Sequence, residues 1–318
     1  MKELFNNALE LINESTSIYI TTHISPDGDA VGSVFSLYLV LKNMGKDVHV
    51  IMPKCSDRFN FLEEVKLAEE RVQASEYDLC IVVDCSSIDR ISMLEEDYNK
   101  AKKKFVIDHH LNSKIDADLM VIDSKSPAAC QVIYELLVSN NINIDRNIAK
   151  YIYMGILTDT GSFNYQSTTP TTHRIIANLL ETGIDFSYIC KMVNDTMKEE
   201  RLKLVSYVIN NMKTYKEGKI KYVKVTNEVI ESLGLDEEDA EGMVNYLRCV
   251  KGVDIAIYAR GLKDGTYRVS MRSNGDVDIS NAAIKLGGGG HKNASGFTVN
   301  EEIDNVIDEI IEIVGVNL

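Results

Sequence analysis

The chain has 318 residues, enough for a large core and for two domains rather than one. Hydrophobic residues make up 45% and charged residues 26%, an ordinary balance for a soluble globular protein, and the formal net charge is -14. That charge argues against a long nucleic acid held in a basic groove, where affinity comes from neutralising many phosphates; it leaves room for a small anion held by a local pocket or by metal ions.

Met1–Ser15 carries Glu3, Glu10 and Glu14 among its leucines and reads as an amphipathic helix, not a signal peptide. Ser17–Thr21 alternates like a strand, and Ala30–Met44 has helical length. Between them, Thr22–Ser33 reads as a strand-to-helix turn punctuated by Pro26, Gly28 and Gly32. It holds three potential metal ligands, His23, Asp27 and Asp29, although Ser-Pro-Asp-Gly-Asp is also good turn and N-cap chemistry. Gly45 caps the helix before a strand at Asp47–Met52, and Glu63–Arg71 reads as a short helix. Tyr77–Val83 is almost continuously apolar, as a strand buried on both faces should be, and ends in Asp84. A charged helix is predicted up to Lys104, then a strand, Phe105–Ile107, ending in Asp108-His109-His110, and another at Leu119–Ile122. This alternation predicts an α/β fold with a mostly parallel sheet and helices on both faces.

Ser126–Asn140 is predicted as a helix opened by Ser-Pro, and Asp145–Leu157 as one capped by Asp145 and running into Thr158-Asp159-Thr160-Gly161. Pro170–Thr182, Ser187–Asn194 and Lys198–Met212 continue the helical region, the last as a connecting helix. The style then changes to a smaller α/β domain. Lys219–Val225 alternates as a strand, Glu237–Cys249 reads as a helix, and Val253–Ala259 and Thr266–Met271 pair across Asp264-Gly265. A short helix at Ser280–Leu286 leads into Gly287–Phe297, a further strand and a helix at Glu301–Val314. The expected domains are 1–195 and 219–318, with 196–218 as a helical linker. Six scattered cysteines, several in apolar runs and none in a C-x-x-C pair, read as reduced thiols of a cytoplasmic protein. The apolar runs are too short for a membrane span.

His23, Asp27, Asp29, Asp84, Asp108, His109, His110 and Asp159 form the candidate constellation. Each alone has an ordinary structural explanation, as a core histidine or a helix cap. Three segments, however, deliver ligand-type side chains to carboxyl ends of strands, where open α/β sheets bind ligands. Mixed imidazole and carboxylate ligands suit a divalent first-row metal, and the absence of cysteine weakens a structural-zinc reading. The carboxylates are too many for one ion; two ions sharing a carboxylate explain the count.

At these residues the sequence resembles the DHH phosphoesterase family, named for the tripeptide found here at Asp108–His110. The match covers His23-x-x-x-Asp27-x-Asp29-x-x-Gly32-Ser33, Asp84, the tripeptide, and Asp159 in Thr158-Asp159-Thr160-Gly161. The string Gly287–Gly296, with His291, is similar to the signature of the DHH-associated C-terminal domain. The resemblance implies a two-metal phosphoesterase, most naturally with Mn²⁺. His23 and Asp27 would hold one ion, Asp29, His109 and Asp159 the other, and Asp84 both. His110 would face the scissile phosphate and Asp108 would orient an imidazole. In the second domain Gly288, Gly289, Gly290, His291, Arg272 and Asn281 would bind substrate.

The implied substrates are short oligoribonucleotides, cut to mononucleotides, and 3′-phosphoadenosine 5′-phosphate (pAp). Cyclic di-AMP or pApA turnover is the alternative. A manganese pyrophosphatase and a non-catalytic nucleotide-binding module fit less well, since no ligand position is missing and the His291 string speaks against the former. Long duplex nucleic acid and membranes are not expected as partners; the apolar helical middle is a candidate homodimer interface. One departure stands out: many relatives carry an arginine in the Gly-x-Phe-x segment, where this chain has Gly161-Ser162-Phe163-Asn164. Arg174 is a candidate substitute, and Phe163 and Tyr165 could stack on bases or belong to the core.

Overall fold

The apolar runs of the first half become a parallel sheet in the computed structural model, which describes residues 1–55, 57–110, 113–237, 239–300 and 302–315, with all their side chains except those of His291 and Asn305. The chain divides into two compact units, Met1–Thr196 and Met197–Leu318.

The first unit runs α1 (Lys2–Glu14), β1 (Ser17–Thr21), α2 (Gly28–Asn43), β2 (Asp47–Ile51), β3 (Tyr77–Val83), α3 (Glu95–Tyr98), β4 (Ala101–Asp108), β5 (Leu119–Ile122), α4 (Ala129–Ser139), α5 (Arg146–Asp159), α6 (Pro170–Glu181) and α7 (Phe186–Asn194). Its five strands are all parallel, in the order β2-β1-β3-β4-β5. Ile20 of β1 lies between Val50 and Ile81, and residues Leu79–Val83 of β3 are fully buried, as an apolar central strand requires. Strand order reverses at β1, which has β2 on one side and β3 on the other. The connections from β1 and β3 therefore diverge, opening a crevice beyond their carboxyl ends.

Several elements differ from the sequence reading. The charged helix up to Lys104 does not form: α3 is short, and β4 already begins at Ala101. Lys102 pairs with Asp78 at 3.1 Å and Lys103 with Asp118 at 2.8 Å, so neighbouring acids take the charges of a lysine run that can then pair as strand. Glu63–Arg71 contributes only a 3₁₀ turn, Glu63–Leu67. The helix expected from Ser126 starts at Ala129, because Ser126 Oγ donates to the Ala128 carbonyl and does not cap.

The second unit runs α8 (Glu199–Asn211), β6 (Lys213–Tyr215), β7 (Ile220–Val225), α9 (Asn227–Ser232), α10 (Val244–Arg248), β8 (Ile255–Gly261), β9 (Tyr267–Ser273), α11 (Ser280–Lys285), β10 (Gly289–His291), β11 (Ala294–Val299) and α12 (Ile303–Val314). Its sheet has the order β10-β11-β9-β8-β7-β6 and is antiparallel except for β7 beside β8. The segment expected as a linker supplies α8 and β6. Leu204 and Val208 of α8 are buried in one core with Val223 and Val225 of β7. Gly265, at a φ of 85°, turns the β8–β9 hairpin in the backbone region that glycine favours. Among the described residues no helix is long and apolar enough to cross a membrane.

Candidate active site

Each ligand-type residue sits where a first-unit element ends or begins. His23 follows β1. Asp27 is the N-cap of α2, its Oδ1 accepting from the amides of Asp29 at 3.0 Å and Ala30 at 3.1 Å. Asp29 lies in the first turn of α2 and is fully buried. Asp84 follows β3 with a φ of 50°, and Asp108, His109 and His110 end β4. A left-handed aspartate costs about 1–2 kcal/mol, and such strain clusters at functional sites. Asp159 closes α5.

These residues converge. His109 Nε2 lies 3.3 Å from Asp159 Oδ2, 3.5 Å from Asp84 Oδ1 and 3.9 Å from Asp29 Oδ2. His23 Nε2 lies 3.8 Å from Asp84 Oδ2. Ligand atoms of His23, Asp27 and Asp84 fall within 4.8 Å of one another, as do those of Asp29, His109 and Asp159; a third such group joins Asp84, Asp108, His109 and His110.

The imidazoles are oriented by their second nitrogens. His109 Nδ1–H donates to the Ser126 carbonyl at 3.3 Å, which turns Nε2 toward the carboxylates. His110 Nδ1–H donates to Asp108 Oδ1 at 2.7 Å, and the same oxygen accepts from the His109 and His110 amides.

The electrostatics ask for a cation. Burial and the neighbouring Asp84 push Asp29 up to about 7, and burial with Asp29, Asp27 and Asp84 drives Asp159 well above the usual carboxylate range. Asp27 is raised by desolvation and by Asp84. Burial works against both Asp84 and a charged His109, yet their mutual contact wins: Asp84 is held below its ordinary value, and His109 rises to about 10. His23 Nδ1 and Asp84 Oδ1 are buried without a hydrogen-bond partner. Orphaned ligand atoms among crowded carboxylates fit divalent ions, and the clusters could hold them.

Three supporting features escaped the sequence reading. Asp29 Oδ2 accepts from the Ala129 amide at 2.6 Å and Oδ1 from the Cys130 amide at 2.9 Å, so a ligand-type carboxylate caps α4 from another element. Cys130 and Gly155 pack tightly behind Asp29: a Cβ at Gly155 would lie 2.2 Å from Cys130 Sγ and 2.8 Å from Asp29 Oδ1. A glycine inside the otherwise helical Asp145–Leu157 pattern was the available signal. Ser126, whose carbonyl holds His109, left no trace in any motif.

In the second unit, Arg272 lies on β9, where Nη1 donates to the Met271 carbonyl at 2.9 Å, and Asn281 is exposed on α11. Gly289 and Gly290 enter β10, which pairs with β11. A Cβ at Gly288 would meet the Gly296 carbonyl at 2.1 Å, so this glycine is already required by packing, whereas Gly289 faces open space. The side chain of His291 lies outside the described residues. Phe163 packs against the first unit's core, with its ring 5.6 Å from that of His173, and Tyr165 is exposed.

Comparison with known proteins follows the same division. The DHH family, N-terminal domain, matches residues 17–156, and the DHHA1 domain matches residues 217–315. The bifunctional oligoribonuclease and PAP phosphatase NrnA of Thermus thermophilus is 31% identical over 304 residues, covering 93% of this chain and 89% of the relative. The chain belongs to the DHH family. The protein of the same name from Bacillus subtilis is 25% identical, covering 92% of this chain and 93% of the relative. A solved exopolyphosphatase-related protein from Bacteroides fragilis superposes with a TM-score of 0.91 at 28% identity, covering 99% of this chain and 96% of that one. As a DHH phosphoesterase the chain is a metal-dependent hydrolase.

Proposed function

We propose that this chain is a cytoplasmic two-metal phosphoesterase that hydrolyses short oligoribonucleotides to mononucleotides and removes the 3′-phosphate of pAp. The observation that carries it is Asp84, which belongs both to the group with His23 and Asp27 and to the group with Asp108, His109 and His110, and whose Oδ1 lies 3.5 Å from His109 Nε2. The substrate class follows from the relatives named as oligoribonuclease and PAP phosphatase.

In this reading His23, Asp27 and Asp84 hold one ion, and Asp29, Asp84, His109 and Asp159 the other, with Mn²⁺ suited to the mixed imidazole and carboxylate set. Two such ions, when bound, acidify water and neutralise phosphate oxygens for in-line attack. The protein's own groups do the rest. His110 faces the scissile phosphate. Asp108 accepts its Nδ1–H and raises its pKa, so the ring stays a donor for a phosphate oxygen or the departing one. Ser126 fixes His109, and the α4 amides hold Asp29. In the second unit Arg272, Asn281, Gly288, Gly289, Gly290 and His291 bind substrate; Gly289, free of any packing demand, supports close approach of backbone to a phosphate. The net charge of -14 disfavours long duplex nucleic acid as a substrate.

The test is product analysis with Mn²⁺ on pApA, pAp, cyclic di-AMP and labelled RNAs of roughly two to twenty-four nucleotides. Turnover concentrated on pAp and the shortest RNAs is expected. Preference for cyclic di-AMP would move the protein to signalling-nucleotide turnover, and intact pApA and pAp would sink the reading.

A further inference from the structure

Several basic residues of the first unit lie at the two ends of its sheet. Near the amino-terminal edge, Lys100 pairs with Asp97 at 2.7 Å, Lys102 with Asp78 at 3.1 Å and Lys103 with Asp118 at 2.8 Å. Beyond the carboxyl-terminal edge, Arg90 and Lys114 are exposed, and neither side chain has an ion pair or hydrogen bond among the described residues. In a chain with a net charge of -14, two cations without a partner among the described residues, beside a phosphoesterase site, invite an explanation.

Their backbone is tied to the ligand loops. Leaving Asp84, the chain passes through a 3₁₀ turn at Ile88–Arg90 and returns to the loop that carries His23. There the Ile24 amide donates to the Arg90 carbonyl at 2.8 Å, His23 bridges Ile91, and the Ser92 amide donates to the Thr22 carbonyl at 2.8 Å. Lys114, four residues past His110, donates its amide to the Ser86 carbonyl at 2.7 Å. The Cys85 thiol, raised chiefly by burial, feels Arg90 together with Asp108 and Asp84. Asp89, the acid that feels both cations, is already bonded to Ser87 Oγ. The same strap exposes apolar surface, with Ile24 at 54% and Ile88 at 43% exposure.

We infer that Arg90 and Lys114 form an anion ledge for a substrate phosphate other than the one being cleaved, with Ile24 and Ile88 as the apolar contact for the attached nucleoside. The inference rests on the phosphoesterase reading above. It gives the wall that carries the ligand-type residues a source of positive charge of its own. Guanidinium and ammonium groups left unpaired among the described residues are available for charge-assisted bonds to phosphate oxygens.

The experiment measures equilibrium binding of a phosphorothioate-linked pApA containing 2-aminopurine to the full-length, Mn²⁺-loaded chain, alongside turnover of ordinary pApA. The R90A/K114A variant is expected to bind about tenfold or more weakly, the loss of a hydrogen bond to a charged group. Its affinity should also depend less steeply on salt, a change that a structural defect would not produce. R90K should recover part of the affinity. Unchanged affinity and salt slope in R90A/K114A would overturn the ledge. Wild-type protein that binds the analogue through these residues but leaves pApA intact would keep the ledge and remove the proposed activity. Wild-type protein that does not bind the analogue would remove both.

Discussion

Asp159 shows how a single side chain can be wrong for stability and right for a metal site. Its carboxyl is half-buried and faces Asp29, Asp27 and Asp84, with His109 opposing them. A carboxyl whose pKa is raised on folding destabilises the folded state wherever the unfolded chain would ionise it. The penalty is absent below about pH 4, the unfolded carboxyl value, and grows as pH rises toward the folded one. D159N in chelator-treated protein is therefore expected to be more stable than wild type by about 1 kcal/mol or more at pH 7, a gain that fades toward pH 4. The same variant loses most turnover and most of the stabilisation wild type gains from added Mn²⁺. Thermal melts across pH, with and without Mn²⁺, check all of this. The ligand-type residues were legible in the sequence because strand ends announce themselves by the end of an apolar run. Their supports were not: Ser126 acts through its backbone carbonyl, and a carbonyl has no residue type.

At the scale of elements, the site depends on α2 crossing α5 at very short range. A Cβ on Gly32 would lie 2.6 Å from the Tyr151 carbonyl, and one on Gly28 would lie 2.4 Å from the Thr158 side chain. This approach brings the start of α2, with Asp27 and Asp29, beside the end of α5, with Asp159. G155A inserts a methyl between the helices. It is expected to destabilise by about 1–3 kcal/mol, as overpacking of a full core does, and to weaken Mn²⁺ binding by pushing on Asp29. C130A/G155A, which removes the sulfur the methyl meets, should recover part of both; denaturant unfolding and Mn²⁺ titration of the two variants measure it. The parallel strands were readable from apolar runs alone. The start of α4 was not, because its cap comes from Asp29, about a hundred residues earlier in the chain. Nor was the strand character of Lys102–Lys104, whose pairing acids lie on β3 and just before β5.

For the whole molecule, a chain with a net charge of -14 gathers acids and imidazoles into clusters that could hold cations. The first unit carries the ligand-type residues at the point where strand order reverses, a placement fixed by sheet topology. The second unit carries Arg272, Asn281 and the glycine-rich β10 on a sheet of different design. The central claim is that Asp84 serves two ions at once, and titration of chelator-treated protein with Mn²⁺ while following pApA turnover tests it most directly. Activity is expected to appear only as a second equivalent per chain binds, and D84N should lose both equivalents together. Full turnover with a single equivalent, or two equivalents retained in D84N, would contradict the account.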